Sequence, residues 1–112
     1  MGFTPNVIET LDDVSIQFII DGGGSAITTG EKGHLEVPFA MTITGWTILS
    51  SDATPTSGSI VIDVWKDTYA NYPPTVADTI TALAKPTLTS ATKATSTTLT
   101  GWTTSFTAGQ VF

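Results

Sequence analysis

The apolar residues of this chain keep a period of two only briefly before a turn residue interrupts it, and this restricts the fold more than any other feature. VSIQFII (14–20) puts Val14, Ile16, Phe18 and Ile20 on one face. HLEVPF (34–39) does the same with Leu35, Val37 and Phe39. SIVIDVWKD (59–67) sets Ile60, Ile62 and Val64 opposite Val61, Asp63 and Trp65. Successive side chains of an extended chain point to opposite faces, so alternation rich in β-branched residues predicts strands. The stops are equally clear: Asp21-Gly22-Gly23-Gly24-Ser25, Thr29–Gly33 and Ala108-Gly109. Consecutive glycines lose the most backbone entropy on ordering and do not continue a strand cheaply. Short strands with turns at this spacing predict an all-β fold, an antiparallel β-sandwich of jelly-roll type. At most one short helix is expected, over Thr75–Leu83, with Thr75 as N-cap and Asp78 in the first turn. No long helices alternate with the strands, which argues against a parallel α/β sheet.

Several further elements follow from the same reading. MTITGWTIL (41–49) reads as a strand whose alternation breaks at Gly45, a bulge or a close approach by a neighbour. Pro38 lacks an N–H and belongs at a strand edge. Ser50–Gly58 and residues 84–96 read as polar loops, and TTLTGWT (97–103) as a strand. Residues 1–13 read as an N-terminal arm or linker, and 14–112 as the sandwich domain. TITGWTI (42–48) and TLTGWTT (98–104) share five of seven positions. The residues that follow them do not match, so the likeness is local and not a duplicated unit. Both copies read as strand with a structural Trp. The alternative is a Trp platform that stacks on a sugar ring.

Composition narrows the function. Ten acids against four bases give a net charge of −6, and the bases Lys32, Lys66, Lys85 and Lys93 are scattered. Phosphate backbones need clustered Lys and Arg, so nucleic acid is not an expected partner. No apolar run is long enough to span a bilayer, and the N-terminal MGFTPNVIE lacks the basic and apolar regions of a signal peptide. There is no cysteine, which excludes disulfides, thiolate catalysis and cysteine-held zinc.

Little remains for catalysis. The single His34 lies in a strand, and no Ser sits in a GxSxG turn. No HxH or HExxH spacing exists, so no metal site is expected, and no cofactor. Glu31, Glu36, Asp63, Asp67 and Asp78 are the carboxylates from which a glycosidase pair would be drawn. Asp63 stands out because it interrupts an apolar strand; it is either exposed or buried and bonded to backbone. Asp12, Asp13, Asp67 and Asn71 lack EF-hand spacing and read as turn residues. DGGGSAITTG lacks the GxxxxGK[ST] pattern and reads as a loop between strands. Trp65, Tyr69, Tyr72 and Pro73-Pro74 form an aromatic and proline cluster. It reads as a cap on one end of the fold or as a contact patch.

The stretches IDGGGSAITTGEKGHLEVPFAMTITGWTILS, GSIVIDVWKDTYANYPPTVADTI and AKPTLTSATKATSTTLTGWTTSFTAGQVF resemble a family of bacteriophage structural proteins. These are small β-sandwich domains of tail fibres, tail tips and other virion appendages. The resemblance covers residues 18–112. It implies a non-enzymatic virion component, made in the host cytoplasm and acting by assembly with copies of itself and other virion proteins. A trimer is favoured by analogy, with attachment to a host-surface glycan as a further role. The alternative is a carbohydrate-binding module. In either case the contact residues are Trp46, Trp102, Tyr69 and Tyr72. In the family, further strands follow the pattern at AGQVF. The resemblance therefore implies a sandwich incomplete at its C-terminus, with an open edge for a partner strand at Val111 and Phe112.

Overall fold

A computed structural model describes residues 13–51 and 58–112. The expected arm at 1–13, except Asp13, and most of the expected loop at 50–58 lie outside the described residues. The chain divides into two compact units, one ending at Gly33 and the other spanning His34–Phe112. Residues 14–33, expected inside the sandwich domain, fall in the first unit.

In the first unit, residues 14–20 form no strand, contrary to their alternation. Val14, Ile16 and Phe18 stay exposed. Alternation supplies a face, but a strand also needs a neighbouring edge to pair with. The glycine turn does form. Ser25 N–H donates to the Gly22 carbonyl at 3.1 Å, and Gly23 N–H to Asp21 Oδ1 at 2.8 Å.

The second unit is all-β, with six short strands in antiparallel pairs and no α-helix among the described residues. They are β1 (Met41–Thr42), β2 (Trp46–Leu49), β3 (Ser59–Val61), β4 (Thr87–Thr89), β5 (Lys93–Ser96) and β6 (Ser105–Phe106). β1 pairs with β6, β2 with β5, and β3 with β4. None of the described helices is long and apolar enough to cross a membrane.

The stretch 84–96, expected as a loop, contains β4 and β5. Its polarity suggested a loop, but threonine is β-branched and suits a half-buried sheet. Leu88 goes into the interior, and the threonines pair across strands, Thr47 Oγ1 with Thr95 Oγ1 at 2.9 Å. The stretch 97–103, expected as a strand, is instead a turn. Between Met41 and Trp46 the first strand advances five residues, while its partner recedes ten, from Phe106 to Ser96. The surplus residues leave the ladder as this turn, closed by Trp102 N–H on the Leu99 carbonyl at 3.1 Å.

The twin GWT stretches therefore adopt two conformations. Gly45 lies against β5, where an added Cβ would sit 2.9 Å from the Ser96 carbonyl oxygen. This is the close approach that the break in alternation signalled. Gly101 has φ +73°, and an added Cβ would lie 2.5, 2.9 and 3.0 Å from three Leu83 side-chain carbons. Gly101→Ala is expected to lower stability by about 1–3 kcal/mol, combining left-handed strain with overpacking. A urea midpoint equal to wild type would contradict this.

The expected helix shortens to a 3-10 turn, Val76–Asp78. The Asp78 carboxylate accepts from Thr75 N–H at 2.7 Å and from the Thr75 hydroxyl at 3.1 Å, as the capping expectation required. The helix stops there because Thr79 returns to extended backbone and bridges Trp65. Strand pairing overrides helix propensity at this β-branched residue.

Backbone bonds run from segment to segment around the interior. Ile43 N–H donates to Thr104, Thr103 to Ile80, Ile80 to Val64, and Asp67 and Val111 to each other. Val111 also bridges Glu36, Leu35 exchanges bonds with Phe112, and residues 38–40 lead back to β1. The pairing of 35–37 ends at Val37, just before Pro38, as a residue without an N–H requires. Val37, Ile80 and Phe106 are the buried centre, with Met41, Ile43, Val64 and Phe112 packed against them.

Candidate functional site

The aromatic and proline cluster resolves into a built turn. Asn71 N–H donates to the Thr68 carbonyl at 3.1 Å and Tyr72 N–H to the Tyr69 carbonyl at 3.2 Å, making a 3-10 turn at Tyr69–Asn71. Asp67 Oδ1 accepts from Thr68 N–H at 2.7 Å and from Asn71 Nδ2 at 3.2 Å. Asp67 and Asn71 thus act as turn residues, as their spacing suggested. The Asp67 backbone is locked to Val111, which fixes the base of the turn. Tyr69 is 73% exposed and Tyr72 51%. The Tyr72 ring meets His34 edge-on, with centroids 5.1 Å apart.

The four expected contact aromatics differ in exposure, the two tyrosines standing open and the two tryptophans half-buried. Trp46 is half-buried on β2, opposite Ser96. Trp102 is half-buried in the 97–103 turn, and its indole N–H donates to the Ala84 carbonyl at 2.8 Å. Among the described residues no ring contact joins either tryptophan to the tyrosines. Only Tyr69 and Tyr72 share an element and stand well exposed.

The expected open edge at Val111 and Phe112 needs correction. Val111 exchanges both backbone bonds with Asp67, at 2.9 and 3.0 Å, and bridges Glu36 on its other side. Phe112 is tied to Leu35 by two bonds, at 2.6 and 2.9 Å. Val111 is an inner rung and Phe112 is held by Leu35: the chain's own residues 35–37 and 67 supply partners expected from another subunit.

Asp63 is the carboxylate whose surroundings were only half visible. It is neither open nor bonded to backbone. Its Oδ1 accepts from the hydroxyls of Thr79 and Thr81, the latter at 2.9 Å, and its Oδ2 lies 3.3 Å from Lys85 Nζ. The Thr81 hydroxyl also accepts from Val64 N–H at 3.2 Å. Burial alone would raise the Asp63 pKa. The hydroxyls of Thr79 and Thr81, the nearby Trp65 indole and Lys85 outweigh that and hold it below the usual carboxylate value. A carboxylate satisfied in this way is a poor proton acceptor, and its bonds tie the segment after β3 to the segment before β4. Among the described residues, no three His, Asp or Glu side chains gather as a metal site.

The partners of Asp63 were not legible because Trp65 reads as a strand residue, Thr79 and Thr81 as residues of the expected helix over 75–83, and Lys85 as a loop residue. The available signal was spacing: Asp63 and Trp65 share a strand face, and Thr79 and Thr81 repeat that spacing across the turn. Comparison with protein-family models, curated proteins and solved structures gives no match for this chain.

Proposed function

We propose that this chain is a non-enzymatic structural protein of a bacteriophage particle, a tail-fibre, tail-tip or capsid-decorating component. On this reading its antiparallel sheets face each other as a jelly-roll-like sandwich. It resides in the virion after synthesis in the host cytoplasm. It acts by assembling with copies of itself, a trimer on analogy, and with other virion proteins, and it contributes to host-surface attachment.

The balance of apolar residues in the His34–Phe112 unit carries the proposal. Among the described residues of this unit, five hydrophobic side chains are buried: Val37, Ile80, Leu88, Phe106 and Val111. Eight large ones are exposed, among them Tyr69, Tyr72, Val76 and Leu83 within one stretch of sequence. Burying one such side chain is worth about 1.5–3 kcal/mol, so covering several by a partner would outweigh much of the cost of association. The Asp63 bonds add to this reading, since they spend the most distinctive carboxylate on structure.

Sedimentation of the purified chain across a concentration series tests the proposal. A mass above one chain, reduced in the double variant Tyr69→Ser, Leu83→Ser, is the expected result. A single-chain mass at every concentration would overturn self-assembly.

A second reading, a carbohydrate-binding module, is favoured by two exposed tyrosines on one hydrogen-bonded turn. It requires Tyr72→Ala to abolish binding to host-surface glycans. Equal glycan binding by wild type and variant would remove it.

A further inference from the structure

The glycine turn in the first unit folds an aspartate carboxyl against its own backbone. Asp21 Oδ1 accepts from Gly23 N–H at 2.8 Å, which folds the carboxyl back along the backbone past the Gly22 nitrogen. Gly22 presents no side chain to obstruct it. Nor could another residue stand there, because a Cβ at this position would lie 1.9 Å from the Ser25 carbonyl oxygen. The turn thus requires glycine directly after aspartate. Gly23 and Gly24 follow with φ of +62° and +85° and open space around them.

The other described aspartates differ in one respect. Asp13 precedes Val14, Asp63 precedes Val64, Asp67 precedes Thr68 and Asp78 precedes Thr79. Each successor is β-branched, and its crowded Cβ hinders approach of its own nitrogen to the preceding carboxyl. The carboxylates of Asp63, Asp67 and Asp78 are further held by hydrogen bonds from threonines and an asparagine.

We propose that the Asp21–Gly22 bond is a site of spontaneous backbone isomerisation, converting aspartate to isoaspartate in the folded chain. The Gly22 nitrogen attacks Cγ of the protonated Asp21 side chain. A C–N bond forms, the Cγ–OH bond breaks, and the hydroxyl leaves with the nitrogen's proton as water, closing a five-membered imide. Water then adds back. Opening at Cγ restores aspartate; opening at the main-chain carbonyl leaves the chain connected through the side chain. One water leaves and one enters, so no oxidant or co-reactant is needed. The isomerised backbone is one carbon longer, which breaks the spacing of the Gly23–Asp21 and Ser25–Gly22 bonds and releases the turn.

The test is incubation of the full native chain in water enriched in heavy oxygen, followed by proteolysis and fragmentation mass spectrometry. Label and isoaspartate are expected to accumulate at Asp21 at least about tenfold faster than at Asp67 or Asp78, equivalent to roughly 1.4 kcal/mol in barrier. Asp21→Glu, which would require a six-membered ring, is expected to abolish the signal. Accumulation at Asp21 no faster than at Asp67 and Asp78 overturns the assignment. So does reaction confined to the urea-unfolded chain.

Discussion

Phe106→Ala is expected to destabilise the His34–Phe112 unit by about 3–5 kcal/mol, the usual cost of truncating a buried phenylalanine. Phe106 is almost fully buried and joins the two halves of the interior. It stands opposite Met41 in the β1–β6 pair, packs with Val37 and Ile80, and meets the Phe112 ring at 5.2 Å. Lys66 Nζ lies 5.0 Å from its ring centroid while bonding the Ser105 carbonyl at 2.6 Å. A domain of this size has only about 5–15 kcal/mol of stability, so the loss is a large share of the total. Urea unfolding followed by Trp fluorescence measures it. Phe106→Leu serves as control and should cost less than about 1.5–2 kcal/mol if packing volume dominates. Equal losses in the two variants would point instead to the aromatic contacts with Phe112 and Lys66.

The all-β class was readable because period two is a local property. Val37 is buried, but Leu35 and Phe39, expected on the same face, are exposed, so alternation marked extended chain without marking its full buried face; the 3-10 turn at Val76 begins at the Thr75–Asp78 cap. What local pattern does not carry is pairing. Residues 14–20 have the alternation but form no strand, whereas 87–89 and 93–96 look polar and pair well. Threonine is ambiguous for a physical reason: its hydroxyl suits loops, and its branched Cβ suits sheets. The two GWT stretches make the same point, because partners far along the chain decide between strand and turn. Gly45 is shaped by Ser96, and Gly101 by Leu83.

Among the expected contact residues, Tyr69 and Tyr72 are the well-exposed pair, as a contact role requires. Trp102 was a poorer candidate, because an indole N–H that finds a backbone acceptor is held in the structure. Val111 and Phe112 looked like an open edge because the resemblance implied further strands after them, while their actual neighbours, 35–37 and 67, lie far back in the chain. Asp63 was recognisable as unusual from its apolar neighbours alone. Its role was not, because Thr79, Thr81 and Lys85 reach it only once the 59–67 and 78–86 segments pair.

Asp63→Ala is the second substitution expected to have a large effect, a loss of about 2–4 kcal/mol. The ion pair is the smaller part. Lys85 is 38% exposed, and pairs in contact with solvent are worth about 1 kcal/mol or less. The hydroxyl bonds decide the magnitude, since hydrogen bonds to a charged group contribute about 1.5–3 kcal/mol each when shielded. Asp63 is 19% exposed and Thr81 is fully buried, so the Thr81 hydroxyl finds no water to replace the lost acceptor. Asp63→Asn keeps one acceptor oxygen and should cost about half as much. The pH dependence separates charge from shape. The folded state holds the Asp63 pKa below its ordinary value, so the folded state favours the ionised form. Its contribution is complete above the unfolded carboxylate pKa of about 3.9, and it is lost as pH falls through the lower folded value. Wild type should therefore lose stability more steeply than Asp63→Asn below about pH 4. Parallel stability curves for the two proteins across that range would show that the Asp63 charge contributes nothing, leaving only the geometry of its hydrogen bonds.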